Sequence, residues 1–152
     1  MDRTEFTARV QALTDRLYRI SYGQLREAQD RRDAVQETLL KAWANLHRLR
    51  SDAYFETWVI RILLNECHNL QRRAQRVAPL DAPPSPEPDF DGDAEIRDAV
   101  RALPEKLRTA VILHYMEGYR VREIARILRV PEETVKSRLR RARAALRELL
   151  EE

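Results

Sequence analysis

Near the C-terminus, basic side chains are spaced so that they would share the polar side of one helix, where they could contact nucleic acid. Apolar residues there recur at steps of four, three, four and three, which predicts one packing stripe along a helix. The stripe consists of Val135, Leu139, Ala142, Leu146 and Leu149. Arginine can donate two hydrogen bonds to a guanine edge, and lysine and serine can donate to bases or phosphates. The residues of this kind that fall off the stripe, and that we expect at base edges or adjacent phosphates, are Lys136, Ser137, Arg140 and Arg141.

The segment before this helix predicts a helix-turn-helix. A short helix is expected over 121–128, and about three residues, ending near Pro131, separate it from the last helix. This spacing is typical of the motif, whose second helix enters the major groove of DNA. Phosphate contacts, which orient a protein without specifying sequence, are expected from Arg120, Arg122 and Thr134. The alternative is that the arginine-rich helix only presents a solvated face.

Aromatic and basic residues are interleaved in the first half of the chain. Sixteen positions hold four aromatic residues, namely Trp43, Tyr54, Phe55 and Trp58. The arginines among and beside them are Arg48, Arg50 and Arg61. Aromatic faces stack on unpaired bases while arginines follow the backbone, which is the chemistry of strand opening. The three-residue step from Phe55 to Trp58 also fits a hydrophobic core, and taken alone it favours the core.

No set of residues predicts catalysis, a metal or a cofactor. Glu37 and Glu66 lack a second carboxylate at catalytic spacing, and the histidines share no metal-like spacing. A single cysteine excludes an intrachain disulfide, and three glycines exclude a glycine-rich phosphate loop. We therefore expect no enzyme activity, no metal and no cofactor. Asn65 and Asn69, four residues apart, share one helix face, and an asparagine amide can read a base.

Charge and proline divide the 152 residues into three parts. Residues 1–76 and 94–152 each hold 14 basic and 10 acidic side chains, whereas residues 77–93 hold five acids and no base. Five of the seven prolines lie in this acidic segment, so neither a helix nor a central strand can run through it. We predict two small all-α domains, 1–76 and 94–152, joined by an extended linker at 77–93. Basic blocks attract polyanions, most often nucleic acid.

Apolar periodicity predicts the helices within each domain. A first helix is expected from Thr4 to Leu25, and a second from Asp30, with Asp33 in a capping-box-like arrangement. Ser51 or Asp52 is expected to cap the third helix. Pro104 is expected at the first position of another. The predicted apolar faces include Trp43 and Tyr115. No apolar run approaches the ~20 residues of a membrane span, and a soluble cytoplasmic protein is expected.

Three motifs resemble one known family. They are DAVQETLLKAW (33–43), YFETWVIRILLNEC (54–67) and ALPEKLRTAVILHYMEGYRVREIARILRVPEETVKSRLRRARAAL (102–146). In this order and spacing, they resemble the short extracytoplasmic-function (ECF) type of bacterial RNA polymerase sigma factor. The resemblance implies two helical domains, the second a helix-turn-helix, and a promoter-specificity subunit without catalysis. It also implies an anti-sigma partner, often membrane-anchored, beside core polymerase and promoter DNA.

The resemblance also implies roles for particular residues. Core polymerase would be contacted by Asp33, Gln36, Glu37, Leu40 and Trp43. The −10 element would be read and melted by Arg48, Leu49, Tyr54, Trp58, Arg61, Asn65 and Asn69. The −35 element would be read by the helix-turn-helix residues named above. In this chain Leu49 stands where relatives often carry an aromatic residue, and Glu66 places an acid near the expected DNA face.

Two other functions fit part of the sequence. A stand-alone helix-turn-helix repressor or activator would use the C-terminal motif, but it does not need DAVQETLLKAW or the segment around Trp58. A regulator that had lost promoter function would be expected to lose the basic face of the last helix. That face is intact, so the sigma-factor interpretation is favoured over both.

Overall fold

The computed structural model describes residues 1–76 and 94–151, and within these ranges the ordered elements are all helical. The described residues fall into two compact units, one formed by 1–76 and the other by 94–151. This confirms the all-α fold class. The predicted linker, 77–93, lies outside the described residues. None of the helices in the described ranges combines the length and apolarity that crossing a bilayer requires.

The first unit consists of three helices and two short turns. Helix α1 spans Arg3–Gln24, α2 spans Ala28–Ala44 and α3 spans Phe55–Arg76. Two single 3₁₀ turns, Leu46–Arg48 and Asp52–Tyr54, connect α2 to α3. Every pair of these helices is in contact, so they enclose one core between them.

Large aliphatic side chains from all three helices fill this core. Leu17 and Ile20 of α1, Val35 of α2, and Val59 and Leu63 of α3 are at most 1% exposed. Full burial of such side chains stabilises a fold by about 1.5–3 kcal/mol each. The three helices are therefore held together mainly by apolar contact.

The start of α2 differs from the prediction. The helix begins at Ala28, and Glu27 at its N-cap makes no side-chain capping bond, so the capping box predicted at Asp30 is wrong. Burial, followed by repulsion from Glu27 and Asp33, raises the pKa of the Asp30 carboxyl. The guanidinium of Arg31 turns back and donates to the carbonyls of Leu25, at 3.0 Å, and Arg26, at 2.8 Å. These short-range bonds hold the chain at the start of α2.

The second unit consists of four helices. Helix α4 spans Ala94–Ala102, and α5 spans Glu105–Val111 and continues into a π-helical turn at Ile112–Met116. Helix α6 spans Val121–Leu128 and α7 spans Glu132–Leu150. Helix α7 packs on α4, α5 and α6. It is therefore the central element of this unit.

The ends of α5 are set by a proline and a glycine. Pro104 is the N-cap of the helix, one position before the predicted one, and Glu105 is the first helical residue. At the other end Gly118 has φ +79°, a left-handed conformation that L side chains adopt with strain. The N–H of Tyr119 donates to the carbonyl of Leu113 at 2.9 Å and closes the turn. Gly118 therefore supplies the left-handed residue that commonly follows the end of a helix.

Three residues predicted on apolar faces lie at the surface instead. Trp43 is 47% exposed, Tyr115 is 54% exposed and Leu149 is 43% exposed. Periodicity identifies the side of a helix that is apolar, but it does not show how far the partner helices extend along that side. These three predictions of burial were wrong for that reason.

Candidate nucleic-acid interface

A tight turn sets the angle between α6 and α7. Arg129 has φ 56°, a left-handed conformation that is uncommon for a residue with a Cβ. The N–H groups of Arg129 and Val130 both donate to the carbonyl of Ala125 and so end α6. After Pro131, helix α7 begins at Glu132. The predicted helix-turn-helix is confirmed by this arrangement.

The faces of α7 are sorted as the spacing predicted over its first three turns. Val135, Leu139 and Ala142 are buried against the unit, at 0%, 3% and 0% exposure. The predicted DNA-contacting residues Lys136, Arg140 and Arg141 are exposed, and Ser137 is partly buried. Lys136 Nζ lies 3.3 Å from Glu133 Oε1, in an ion pair open to solvent. The exposed face is therefore basic and polar along the length that a groove could accommodate.

The predicted phosphate contacts lie at the beginnings of the two helices. Arg120, the N-cap of α6, and Arg122 are both exposed, and Thr134 in the first turn of α7 is partly buried. The N–H of Arg120 donates to Glu123 Oε1 at 3.0 Å, which fixes the start of α6. Sequence reasoning missed a link between two helices, in which Arg143 Nη1 donates to the hydroxyl oxygen of Tyr115 at 3.0 Å. Only the fold brings these two residues together.

One side of α2 exposes the residues predicted to bind polymerase. Asp33, Gln36, Glu37, Leu40 and Trp43 are all exposed, and the first four follow steps of three, one and three along one face. Leu40 is 66% exposed. We call these five residues the α2 stripe. Exposed large apolar side chains such as Leu40 and Trp43, rimmed by polar groups, are typical of a protein-binding surface.

The aromatic residues of the first unit form a chain of ring contacts. The Phe6 ring lies 5.0 Å from that of Trp43 and 5.7 Å from that of Phe55, and Phe55 lies 6.3 Å from Trp58, between centroids. Phe55 is 3% exposed and belongs to the core, whereas Tyr54 is 45% exposed and faces solvent. The sequence left open whether these aromatic residues pack in the core or stack on bases. Phe55 packs in the core, whereas Tyr54 lies exposed at the surface. Phe6, some 37 positions before Trp43, could not be assigned to the cluster from local spacing.

The polar residues of α3 lie on its solvent side. Asn65 and Asn69 are exposed, opposite the buried Val59 and Leu63. Arg61 and Trp58 are partly buried. In the preceding segment Arg48 is exposed and Leu49 is partly buried. The residues predicted at the −10 element, Tyr54 included, thus lie in the segment that follows α2, with its two turns, and on one side of α3.

Glu66 does not lie on that side. It is 9% exposed and accepts a hydrogen bond from Lys41 Nζ across the contact between α2 and α3. This bond, more than the attraction of the Glu66 and Glu37 charges, raises the pKa of Lys41. The expectation of an acid at the DNA face was therefore wrong for Glu66, because it pairs with a lysine from the neighbouring helix.

No metal-binding arrangement of histidine, cysteine, aspartate and glutamate occurs within residues 1–76 and 94–151. Cys67 is a buried thiol in α3. The predicted DNA-contacting residues form one surface in each unit, built mainly from basic, amide and aromatic side chains.

Comparison with known proteins identifies both units. The family described as Sigma-70 region 2 matches residues 9–77, and that described as Sigma-70, region 4 matches residues 93–146. The RNA polymerase sigma-H factor of Pseudomonas aeruginosa is 34% identical over 145 residues, which cover 82% of this chain and 75% of that protein. The ECF RNA polymerase sigma factor SigM of Mycobacterium tuberculosis is 37% identical over 142 residues, covering 88% and 71%.

Solved structures share the fold. The sigma factor RpoE from Bartonella quintana, in complex with the anti-sigma factor NepR, superimposes with a TM-score of 0.79 at 25% identity and covers 97% of each chain. CnrH, in complex with the cytosolic domain of CnrY, has the same fold with a TM-score of 0.79 at 24% identity, covering 99% of this chain and 90% of that one. The chain therefore belongs to the ECF group of RNA polymerase sigma factors, the subunits that direct promoter-specific transcription initiation.

Proposed function

We propose that the two units divide promoter recognition between them. Residues 1–76 bind core polymerase and the −10 element, residues 94–152 bind the −35 element, and residues 77–93 connect them. The observation that carries this proposal is the sorting of α7, whose apolar side is buried while Lys136, Arg140 and Arg141 face solvent. In this role the chain acts by binding and has no catalysis of its own.

In the second unit, α7 enters the major groove of the −35 element. The polar face near the start of a recognition helix reads base edges in this geometry. Bases and adjacent phosphates are contacted by Lys136, Ser137, Arg140 and Arg141. Phosphates that orient the helix are contacted by Arg120, Arg122 and Thr134. The exposure of the basic members of both sets supports this assignment.

In the first unit, the segment from Arg48 to Asn69 reads and opens the −10 element. Exposed Tyr54 and partly buried Trp58 offer aromatic faces to unpaired bases, and stacking contributes about 1–3 kcal/mol per base. Asn65 and Asn69 offer amides from one side of α3. Arg48 and Arg61 supply positive charge to the DNA backbone, and Leu49 contacts an unpaired base from the position where relatives often carry an aromatic residue.

The α2 stripe binds core polymerase. Leu40 and Trp43 supply apolar area that is uncovered within the described residues of the unit, and Asp33 and Glu37 supply charges for basic partner residues. Charge complementarity of this kind gives specificity and fast association. Since transcription initiates on polymerase, we place the protein in the cytoplasm.

An anti-sigma factor is the proposed regulatory partner. The sigma factor RpoE from Bartonella quintana was solved bound to the anti-sigma factor NepR, and it aligns over 97% of this chain. We propose that a protein of that class binds this sigma factor and covers its DNA-binding surfaces. No insertion of this chain into a membrane is required for that interaction.

Reconstitution with purified core polymerase tests the proposed function. The protein should co-elute with core and redirect transcription starts, which run-off mapping locates. It should bind duplex promoter DNA weakly when core is omitted. A stand-alone repressor or activator would instead bind duplex DNA tightly by itself. Failure to associate with core, or unchanged start sites, would contradict the proposal.

A further inference from the structure

The side chain of Arg9 joins α1 to the turn that precedes α3. Its Nη1 donates to the carbonyl oxygen of Asp52 at 2.8 Å, across 43 positions of sequence. Its Nη2 donates to Glu5 Oε1, one helical turn back, at 3.0 Å. Its Cζ lies 5.8 Å from the centroid of the Phe55 ring, within cation–π range. One guanidinium therefore contacts its own helix, the turn and the first residue of α3.

The turn that Arg9 contacts lies inside the proposed −10 reader. Ser51 Oγ accepts from the N–H of Ala53 at 3.3 Å, and the N–H of Tyr54 donates to the Ser51 carbonyl at 3.0 Å. These bonds are local, so they determine the shape of the turn. The bond from Arg9 reaches from another helix, so it helps to hold the turn against α1, together with the Phe6–Phe55 ring contact and the Arg16–Glu56 ion pair just beyond the turn.

An arginine suits this position better than a lysine. The planar guanidinium presents donors in a fixed fork, so it can donate to Glu5 and to the Asp52 carbonyl at once. A planar cation also lies well over an aromatic ring, here that of Phe55. Lysine keeps the charge and N–H donors but lacks the planar fork, and glutamine keeps amide donors without the charge. Comparing arginine, lysine and glutamine at position 9 therefore separates the effect of the charge from the effect of the hydrogen bonds.

We infer that Arg9 is a positioning residue for promoter opening. It holds the turn at Asp52 so that the neighbouring Tyr54 side chain faces the −10 strand, and it does so from α1, without contacting DNA. This inference rests on the proposed function of the segment from Arg48 to Asn69. It adds to that function a residue outside all three motifs that define the family resemblance.

The test uses full-length sigma variants assembled with core polymerase. Affinity for a single-stranded −10 oligonucleotide and promoter opening, followed by permanganate reactivity, are measured for R9A, R9K and R9Q. The loss of one net hydrogen bond and one exposed cation–π contact can lower the population of the correctly placed turn, and it predicts a weaker affinity for the oligonucleotide in R9A, by up to about tenfold. R9K and R9Q should recover part of that loss. E5A, which removes a different partner of the same guanidinium, should fall much closer to the wild type.

Core binding and −35 duplex binding, measured alongside, separate positioning from general folding. If Arg9 is a positioning residue, core binding and −35 duplex binding stay within about twofold of wild type while promoter opening falls. A tenfold change in affinity, by comparison, is about 1.4 kcal/mol. Normal oligonucleotide binding by R9A, or an equal loss of every activity in R9A, R9K and R9Q, overturns the inference. Should Y54A and N65A also bind the −10 oligonucleotide normally, the proposed role of the whole segment fails as well. If R9A does not fold, R9K and R9Q decide the outcome by the same two measurements.

Discussion

At the residue scale, the basic side chains of α7 differ in position more than in chemistry. Arg140 and Arg141 lie in the third turn of this 19-residue helix, whereas Arg147 lies in its last turn, and all three are exposed. A recognition helix reads bases mainly from residues near its start. Position along the helix should therefore decide which arginine confers specificity.

Arg141→Ala should weaken binding to the −35 element by about 1–3 kcal/mol if the guanidinium contacts a base. The preference at one −35 position should relax, which binding to a set of single-base variants of the promoter measures. Arg147→Ala is the matched control, because it removes the same group six residues further along, in the last turn of the helix. If both substitutions weaken all sequences equally, Arg141 contacts phosphate or solvent only.

Asn65→Ala should impair use of the −10 element and leave core polymerase binding unchanged. The amide is exposed on α3, opposite the buried side of the helix, so its loss leaves the core intact. Run-off transcription and co-elution with core give the two readouts. A lower melting temperature together with weaker core binding would show instead that Asn65 is structural.

At the scale of elements, α2 and α3 are joined by a polar pair as well as by apolar packing. Glu66 is nearly buried, and Lys41 reaches it from a position that is still half exposed. A buried carboxylate is costly unless a partner hydrogen-bonds to it. The pair therefore links the helix of the α2 stripe to the helix that carries Asn65.

Lys41→Ala should destabilise the first unit by about 1–3 kcal/mol, because the buried Glu66 loses a charged partner. Hydrogen exchange of the amides in α2 and α3 measures the change. Lys106→Ala, an exposed lysine of α5 in the other unit, is the control and should change exchange in α2 and α3 little. Equal protection in both variants would mean that water replaces the lysine without loss.

The raised pKa of Lys41 also predicts the pH dependence of this contact. The folded state binds the lysine proton more tightly than the unfolded state. The stabilisation is therefore fully present below the ordinary lysine pKa of about 10.4 and is lost as pH rises through the raised value. Alkaline unfolding curves should show this loss in the wild type and not in Lys41→Ala. Identical alkaline curves for the two proteins would contradict it.

Substitutions at the two left-handed residues of the second unit, Gly118 and Arg129, should change its stability in opposite directions. Gly118 has no atom within 4 Å of the place where a Cβ would lie, so Gly118→Ala should cost about 1–2 kcal/mol through backbone conformation alone. Arg129 already bears that strain, and Arg129→Gly should stabilise the turn between α6 and α7 by about 1 kcal/mol. Denaturant unfolding of the second unit measures both. Changes of the same sign would contradict the argument.

At the scale of the whole molecule, charge is distributed by segment. Two basic parts flank a linker whose only charged side chains are acidic, and which lies outside the described residues. Seventeen residues span at most about 55–60 Å, or roughly one and a half turns of DNA. That length allows the two units to contact separate promoter elements on one duplex.

From the family resemblance, we propose that residues 77–93 enter the channel in which the transcript grows. The acids tolerated there would be Asp81, Glu87, Asp89, Asp91 and Asp93. Replacing all five by asparagine or glutamine should change the ratio of abortive to full-length transcripts. The reason is that a linker without charge no longer resembles RNA, which is negatively charged. Gel analysis of initiation products measures the ratio. An unchanged ratio would count against this role for the linker charges.

The sequence by itself determined the class of fold, the helix-turn-helix and the family. Each depends on local spacing: apolar steps of three and four define helices, and Gly118 and Pro131 mark turns. The basic face of α7 could be predicted because a single helix sorts its own sides. The same local reasoning placed Asn65 and Asn69 on one face of α3.

Only the tertiary structure decided which side chains meet across helices. The partners of Glu66, Phe55 and Asp52 come from 25 to 49 positions away, and no periodicity within one helix encodes such distances. The bonds that hold the start of α2 run from Arg31 over only five and six positions, but apolar spacing does not reveal them either. Because long-range contacts depend on how helices pack, the burial of Glu66, the contact of Trp43 with Phe6 and the link from Arg9 to Asp52 emerged only from the folded chain.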